Sequence, residues 1–314
     1  MTAAQIIASA YEDSGIIQPG GTVSSAQSTM ALNRLNVLVK QLSAQPDMAR
    51  GIKVWTRKRV TLALAKGQQT YLIGPASTDA RASTQMGRTT LSAAEAASQT
   101  VLSITSNTDT TTYPGTTITM TASDIIGIQL DNGTIQWSTI SGTPSTTATV
   151  ADALTGAAAS GNYVYWFTSR AQRMVEVESA VLRNSDMTDM EMGIYRDARQ
   201  YDLAVSDKFA DGTPTALLVE QMRIATCITL NSQPTDVTDQ IIITGLYPQE
   251  DYDATTDDIA FPQECYGMLS WELAFLLSGS GGRWTQHMEA NRQRAVQIYK
   301  NMYPEVTDAY FQCG

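Results

Sequence analysis

The sequence predicts an α+β protein: a bundle-like core of N- and C-terminal helices with short strands, interrupted by an inserted all-β sandwich or barrel. Three observations predict it. Helical periodicity is concentrated at the two ends of the chain, where apolar residues recur three and four positions apart. Between Ser83 and Ser169 the composition shifts to threonine and serine, Arg88 is the only basic residue, and short β-branched runs alternate with turns. On either side of that stretch, apolar and polar residues alternate with the period of two of a half-buried strand. The expected organisation is residues 1–82, N-terminal helices and a β-hairpin; 83–169, the all-β insert; and 170–314, the rest of the core with a terminal helix pair and tail.

Near the N-terminus, "IIQPGG" separates two helical patterns, and in the second Ala31, Leu35, Leu38 and Leu42 share one face. In "VWTRKRVTLALAKGQQTYLIGP", Val60, Leu62 and Leu64 alternate, and Lys66-Gly67 is placed to close a hairpin pairing Leu62 with Tyr71 and Val60 with Ile73. Within the insert, "IGIQLDNGTIQWSTI" carries Asn132-Gly133. This predicts a hairpin with Leu130 opposite Ile135, Gln129 opposite Gln136 and Ile128 opposite Trp137. Further strands are expected over 101–105, 116–120 and 163–167. After Arg170, "MVEVESAVLR", "IATCITL" and "DQIIITGLYP" alternate like strands, and "RDARQYDLAVSDKFADG" reads as a helix stopped at Gly212. Two helices close the chain. One starts at Pro262, a residue suited to the first helical turn; the other runs from Trp284 to about Met302, ends before Pro304, and is joined to the first by "SGSGG".

Composition narrows the function. The 314 residues, 43% of them hydrophobic, suffice for two or three folding units. A formal charge of -10 and a pI near 4.6 argue against a freely diffusing nucleic-acid binder, since phosphate binding depends on lysine and arginine displacing counterions. Cys227, Cys265 and Cys313 are widely spaced with no CxxC pair, which suggests neither a disulfide framework nor a zinc site and fits a reducing compartment. The first residues carry no basic run and do not read as a secretory signal. The longest apolar run, Met268 to Leu277, is broken by Ser270 and Glu272 and is too short to cross a bilayer. No membrane insertion and no cofactor are expected.

Several stretches are candidates for chemistry. In "FPQECYGMLSWELAFLLSGSGG", the residues Tyr266, Met268, Leu269, Trp271, Leu273, Phe275, Leu276 and Leu277 cover nearly the whole circumference of a helix. That predicts burial on all sides, in a core or between subunits. Cys265 as a nucleophile would need His287, the single histidine, from the following helix; a cysteine in an apolar helix reads instead as a small hydrophobe. "SGSGGR" follows a helix rather than a strand and lacks the GK[ST] ending, so it reads as an interhelical turn rather than a phosphate cradle. In "EDYDATTDD", Asp251, Asp253, Thr255 and Asp257 alternate as in the first half of a calcium loop. Thr256 stands where glycine is needed and Pro262 where the bidentate glutamate belongs, so a solvated acidic loop is expected. Arg57-Lys58-Arg59 is the densest positive charge, with Arg57 and Arg59 on one strand face and Lys58 on the other. It reads either as a contact for DNA phosphate or an acidic partner, or as a charged strand edge that resists aggregation.

Taken in order, "QQTYLIGP", "RAQRMVEVESAVLR", "QYDLAVSDKFADGTPTALLVE" and "FPQECYGMLSWELAFLL" resemble the head-to-tail adaptor family of short-tailed bacteriophages, also called connector, tail tubular or packaged-DNA stabilisation proteins. The resemblance covers residues 1–82 and 170–314. It implies a structural virion protein without enzymatic activity, assembled in the host bacterial cytoplasm and located at the head–tail junction. Its copies would form a homo-oligomeric ring, dodecameric in this family, that joins the portal protein to a tail nozzle or hub protein. Such a ring helps retain packaged double-stranded DNA, with which it has passing contact, and does not involve a membrane. On this resemblance Tyr266, Leu269, Trp271, Phe275, Tyr299, Tyr310 and Phe311 are expected at a portal or subunit interface, and Arg57, Lys58 and Arg59 at DNA or an acidic partner. Two other classes stay open: an attachment or decoration module acting through residues 83–169, and a cell-wall hydrolase using Glu264 with Glu272 or the acids of residues 251–257.

Overall fold

The computed structural model describes residues 1–44, 57–76, 78–112, 116–207, 209–248, 251–259, 261–279 and 284–302. Among the described residues the chain is mixed α+β, with five helices, several antiparallel sheets and no closed barrel. The helices are α1 (Ala3–Asp13), α2 (Ser25–Ala44), α3 (Ala198–Ala204), α4 (Tyr266–Ser278) and α5 (Gln286–Met302). The strands are β1 (Arg57–Ala63), β2 (Thr70–Ile73), β3 (Ala82–Ser83), β4 (Gly87–Thr90), β5 (Val101–Ser103), β6 (Thr108–Asp109), β7 (Ile118–Thr119), β8 (Ile125–Gln129) and β9 (Ile135–Thr139), followed by β10 (Thr147–Thr149), β11 (Tyr163–Phe167), β12 (Glu176–Arg183), β13 (Asp189–Glu191), β14 (Gly193–Tyr195), β15 (Ala216–Gln221), β16 (Thr226–Leu230) and β17 (Gln240–Leu246). They divide into two compact units, one from the described residues of Met1–Thr56 and Pro248–Gly314, the other from those of Arg57–Tyr247.

The first unit is helical. Ala3, Ile6, Ile7, Ala10 and Tyr11 recur at helical spacing, so α1 has one apolar stripe, and all five are buried. On α2 the predicted face Ala31, Leu35, Leu38 and Leu42 is buried together with Val39. Both helices pack on α4, whose Met268, Leu269, Leu273, Ala274 and Leu277 complete the core. Each large side chain withdrawn from water there contributes roughly 1.5–3 kcal/mol. Polar joints fix how the helices meet: Ser270 donates to the Asp13 carboxylate at 2.6 Å, and Arg34 donates to the Leu276 carbonyl. The acidic segment 251–259 lies across the start of α1. Its Asp257 and Thr255 carbonyls accept from the Ala3 and Ala4 amides at 2.9 and 2.8 Å, which gives partners to amides a helix start leaves unpaired.

In the second unit a five-stranded sheet, β13-β12-β17-β1-β3, shares one core with a four-stranded sheet, β14-β15-β16-β2; β14 and β15 form its parallel pair. The hairpin expected from Val60 to Ile73 does not form. Leu62 pairs with Ile241 and Val60 with Ile243, while Tyr71 pairs with Ile228 and Ile73 with Thr226, so β1 and β2 belong to opposite layers. Alternation specifies which face of a strand is apolar, and both arrangements bury that face; it does not specify the neighbouring strand. Residues 57–82 and 170–247 consequently fold in one unit with the insert.

The insert forms the four-stranded sheet β4-β11-β8-β9 and the pairs β5-β10 and β6-β7. Of the expected strands, 163–167 is β11, while 101–105 and 116–120 contain the shorter β5 and β7. "YVYWF" is apolar throughout because both faces of β11 are covered. Val164 and Trp166 fill the insert's own core, and Tyr165 and Phe167 pack with Ala63 and Met86. The β8-β9 hairpin forms one residue out of the expected register, with Gln129 opposite Ile135, Ile128 opposite Gln136 and Gly127 opposite Trp137. The reason is a three-residue loop. Gly133, at φ +77, takes the left-handed position that ends such a loop, and its amide donates to the Leu130 carbonyl at 3.0 Å. Helix α3 is also shorter than expected. It is capped by Asp197, which accepts the Arg199 amide at 3.0 Å, and stops at the extended Val205. Ala210 and Gly212 are instead bound by backbone hydrogen bonds to Gln233.

Candidate functional site

The residues expected at an interface separate into two groups. Leu269 and Tyr299 are buried in the helical unit's own core, and Tyr266 packs partly against it. Trp271 and Phe275, one turn apart on α4, reach an edge where Phe275 is 39% exposed. Tyr310 and Phe311 lie outside the described residues, as does the rest of the tail after Met302.

That edge is a clasp between α4 and α5. Trp284 meets Trp271 and Phe275 edge-to-face, with ring centroids 6.4 and 5.3 Å apart. Arg292 lies 4.3 Å over the Phe275 ring and donates to both oxygens of Glu272, at 3.0 and 3.2 Å. It also donates to Glu289 at 3.1 Å, and Glu289 accepts from Trp284 Nε1 at 3.0 Å. Hydrogen bonds from Gln293 and then Trp284, with Arg292 nearby, hold the Glu289 carboxyl below the usual glutamate range. Glu272, one of the two carboxylates considered for hydrolysis, is thus bound on both oxygens by a guanidinium.

Cys265 is fully buried, and burial first, then the neighbouring Glu264 charge, pushes its thiol up to about 11. His287 contacts Asn291 at 3.4 Å on exposed α5, and no hydrogen bond joins it to Cys265 among the described residues. At pH 8 such a thiol is ionised in about one molecule in a thousand, and only the thiolate reacts. In a chain with Cys227 and Cys313 replaced by serine, a disulfide reagent should label Cys265 slowly when folded and fully in urea. Equal rates in the two states would make Cys265 a reactive group again.

The basic strand is largely paired. Arg57 donates to both oxygens of Glu178 at 2.6 and 2.9 Å, and Lys58 lies 5.7 Å over the Tyr247 ring. The Arg183 hydrogen bond to Asp189 at 2.6 Å, and to a smaller extent the charge of Arg59, hold the Asp189 carboxyl below its ordinary value. The acids of the 251–258 segment do not converge. Asp251 accepts from Lys40 at 2.8 Å, and Asp257 accepts the Asp253 and Ala254 amides at 2.9 Å. Among the described residues no group of three or more His, Cys, Asp or Glu could hold a metal ion, and no helix is long and apolar enough to cross a membrane.

Two features have no counterpart in the sequence reading. One is a cleft of about 580 Å³ in the second unit, lined in part by Leu72, Asp79, Arg81, Trp137 and Met222, where Arg81 stands 5.8 Å over the Trp137 ring. Its walls come from segments far apart in sequence, which no local pattern connects. The other is the pair Leu203 and Phe209, 80% and 78% exposed. An aromatic residue between turn-forming acids in "SDKFADG" was the available signal, hidden by assigning that stretch to a helix. No protein-family model matches the chain, and no curated protein matches it in sequence.

Proposed function

We propose that this chain is a structural virion protein, a head-to-tail adaptor whose copies form a ring, dodecameric as in the family it resembles, joining the portal to the tail and helping to retain packaged DNA. The observation that carries the reading is the α4–α5 clasp. Trp271, Phe275 and Trp284 form a braced aromatic edge, with Arg292 over Phe275 and Trp284 packed against the core of the helical unit. Aromatic residues and arginine are the types enriched where protein surfaces meet, and rigid ones lose little entropy on docking. A net charge of -10 per copy suits a lumen along which DNA slides without being held, and the pairing of Arg57 with Glu178 leaves less positive charge for phosphate.

A tagged chain recovered from its producing cells, with mass spectrometry of the eluate and negative-stain imaging, tests the proposal. Portal and tail proteins in ring-shaped particles are expected, and a Trp271→Ser, Phe275→Ser chain should capture portal protein about tenfold less well. Recovery of monomer alone, or of cell-wall fragments, would sink the adaptor reading. Undiminished capture by the double variant would move the docking face away from the clasp.

A further inference from the structure

We infer that the cleft beside β2 is a carbohydrate site that takes the pyranose ring of a neutral sugar, with the Trp137 indole as its floor and Gln68, Thr70, Asp79 and Arg81 as partners for the hydroxyls. The inference stands on a single copy of the second unit and does not depend on the ring reading.

The floor is built into the sheet. Trp137 on β9 stands opposite Gly127 on β8, where a Cβ would come within 2.6 Å of the six-membered part of the indole. Glycine therefore lets the ring settle onto its neighbour strand, and Phe167 braces it with the centroids 5.9 Å apart. A side chain held in this way loses little freedom when a ligand covers it. The face of an aromatic ring is negative, and C–H bonds beside sugar oxygens carry partial positive charge, so the carbon-rich face of a pyranose is attracted to it. Leu72 and Met222, 38% and 45% exposed, line the same cleft and offer apolar contact to the rest of the ring.

The polar groups around that floor supply both donors and acceptors. Arg81 stands 5.8 Å over the indole, so a group resting on Trp137 lies near a guanidinium that can only donate. Asp79 is 9% exposed, and one of its carboxylate oxygens accepts the Ala76 amide at 3.0 Å. Its other oxygen accepts no hydrogen bond among the described residues, an arrangement that is costly in so buried a carboxylate until a donor arrives. The backbone there is fixed independently: Arg170 donates to the Asp79 and Ala80 carbonyls at 2.8 and 3.1 Å, and the Ala80 amide donates to the Leu72 carbonyl at 2.8 Å. On the β2 side, Gln68 donates to the Thr70 carbonyl at 2.8 Å and keeps its own amide oxygen as an acceptor, while the Thr70 hydroxyl can serve in either role.

Charge selects the class of ligand. The cleft is lined by one cation, Arg81, and one anion, Asp79, so a phosphate or carboxylate drawn to the first would be repelled by the second, and an amine the reverse. A neutral polyol meets both, because each hydroxyl donates and accepts. The volume of about 580 Å³ lies in the range of sites that enclose a small ligand.

Saturation-transfer NMR on the full chain tests the inference, with glucose, galactose, mannose and N-acetylglucosamine as probes and with leucine and benzoate as zwitterionic and anionic comparisons. At least one sugar should receive saturation at its ring protons, with a Kd in the millimolar range, and neither comparison should. Trp137→Ala should raise that Kd about tenfold. Because the indole also packs on the sheet, Gln68→Leu combined with Thr70→Val provides a second reading at exposed positions: binding should weaken severalfold at an unchanged urea midpoint. Saturation of none of the four sugars, equal affinity in wild type and both variants, or binding of leucine or benzoate alone would each overturn the carbohydrate site.

Discussion

Trp166→Ala should destabilise the second unit by about 3–5 kcal/mol, the cost of emptying a large aromatic site that its surroundings fill only in part. Trp166 is fully buried on β11, between β4 and β8. The neighbouring position on β4 is Gly87, where a Cβ would lie 2.3 Å from the indole, so the ring occupies space that glycine leaves open. No short side chain can take up that volume from the β4 side. The indole nitrogen makes no hydrogen bond among the described residues, so the ring contributes through packing and carries an uncompensated polar group. Trp166→Phe should accordingly cost well under half as much as Trp166→Ala, since it retains an aromatic ring and removes that group. Urea unfolding followed by circular dichroism measures both, independently of tryptophan fluorescence. A loss below about 1 kcal/mol for the alanine variant would mean that the insert's sheet collapses onto the vacancy and that Gly87 is not packed as described.

How far the chain could be read in advance depended on whether local pattern or long-range pairing decided the outcome. The face of α2 and the span of β11 follow from periodicity within a single element, and Ala31, Leu35, Leu38, Leu42 and residues 163–167 stand where it puts them. The β8-β9 hairpin shows the limit of turn signals. Asn132-Gly133 marked the place, but whether Asp131 belongs to the loop or the strand changes every opposing pair by one residue. The pairing of β1 with β17 joins residues at opposite ends of the second unit, and nothing near Leu62 in sequence points to Ile241. The candidate surfaces divide the same way. That α4 is apolar all round was legible, but which of its residues remain at an edge was not: Leu269 is covered by the other helices, whereas Phe275 is left under Arg292. The acidic segment 251–259 looked like a solvated loop, yet its backbone carbonyls complete the start of α1, a role that side-chain identity does not encode.

Arg292→Ala should cost the helical unit about 3 kcal/mol, the lower end of the loss expected when a largely buried ion pair is stripped of one partner. The side chains of Arg292 and Glu272 are only 25% and 11% exposed, so removing the guanidinium leaves a carboxylate on α4 with little access to water. The pair itself contributes much less than that figure, because both charges were desolvated to form it. Glu272→Leu combined with Arg292→Met should therefore unfold close to the wild-type midpoint, and a double-mutant cycle separates the coupling from the penalty of an orphaned charge. Acid supplies a second check. The Glu289 carboxyl is held below the usual value near 4.5 in the folded chain, so its contribution is complete above that pH and is lost as the pH falls through the lower folded value. The largest part of that contribution comes from the Gln293 hydrogen bond, so the gap between wild type and Gln293→Ala should narrow in acid, and a gap unchanged down to the acid limit of folding would mean that Gln293 does not hold the Glu289 carboxylate. The apolar double variant also separates stability from recognition: it keeps Trp271, Phe275 and Trp284 but removes the cation above them. If it folds normally and captures portal protein as well as the wild type, the aromatic edge alone suffices for docking. If it folds normally and captures poorly, the ion pair persists on α4 and α5 because a partner reads Arg292, a reason that the stability of the unit alone does not supply.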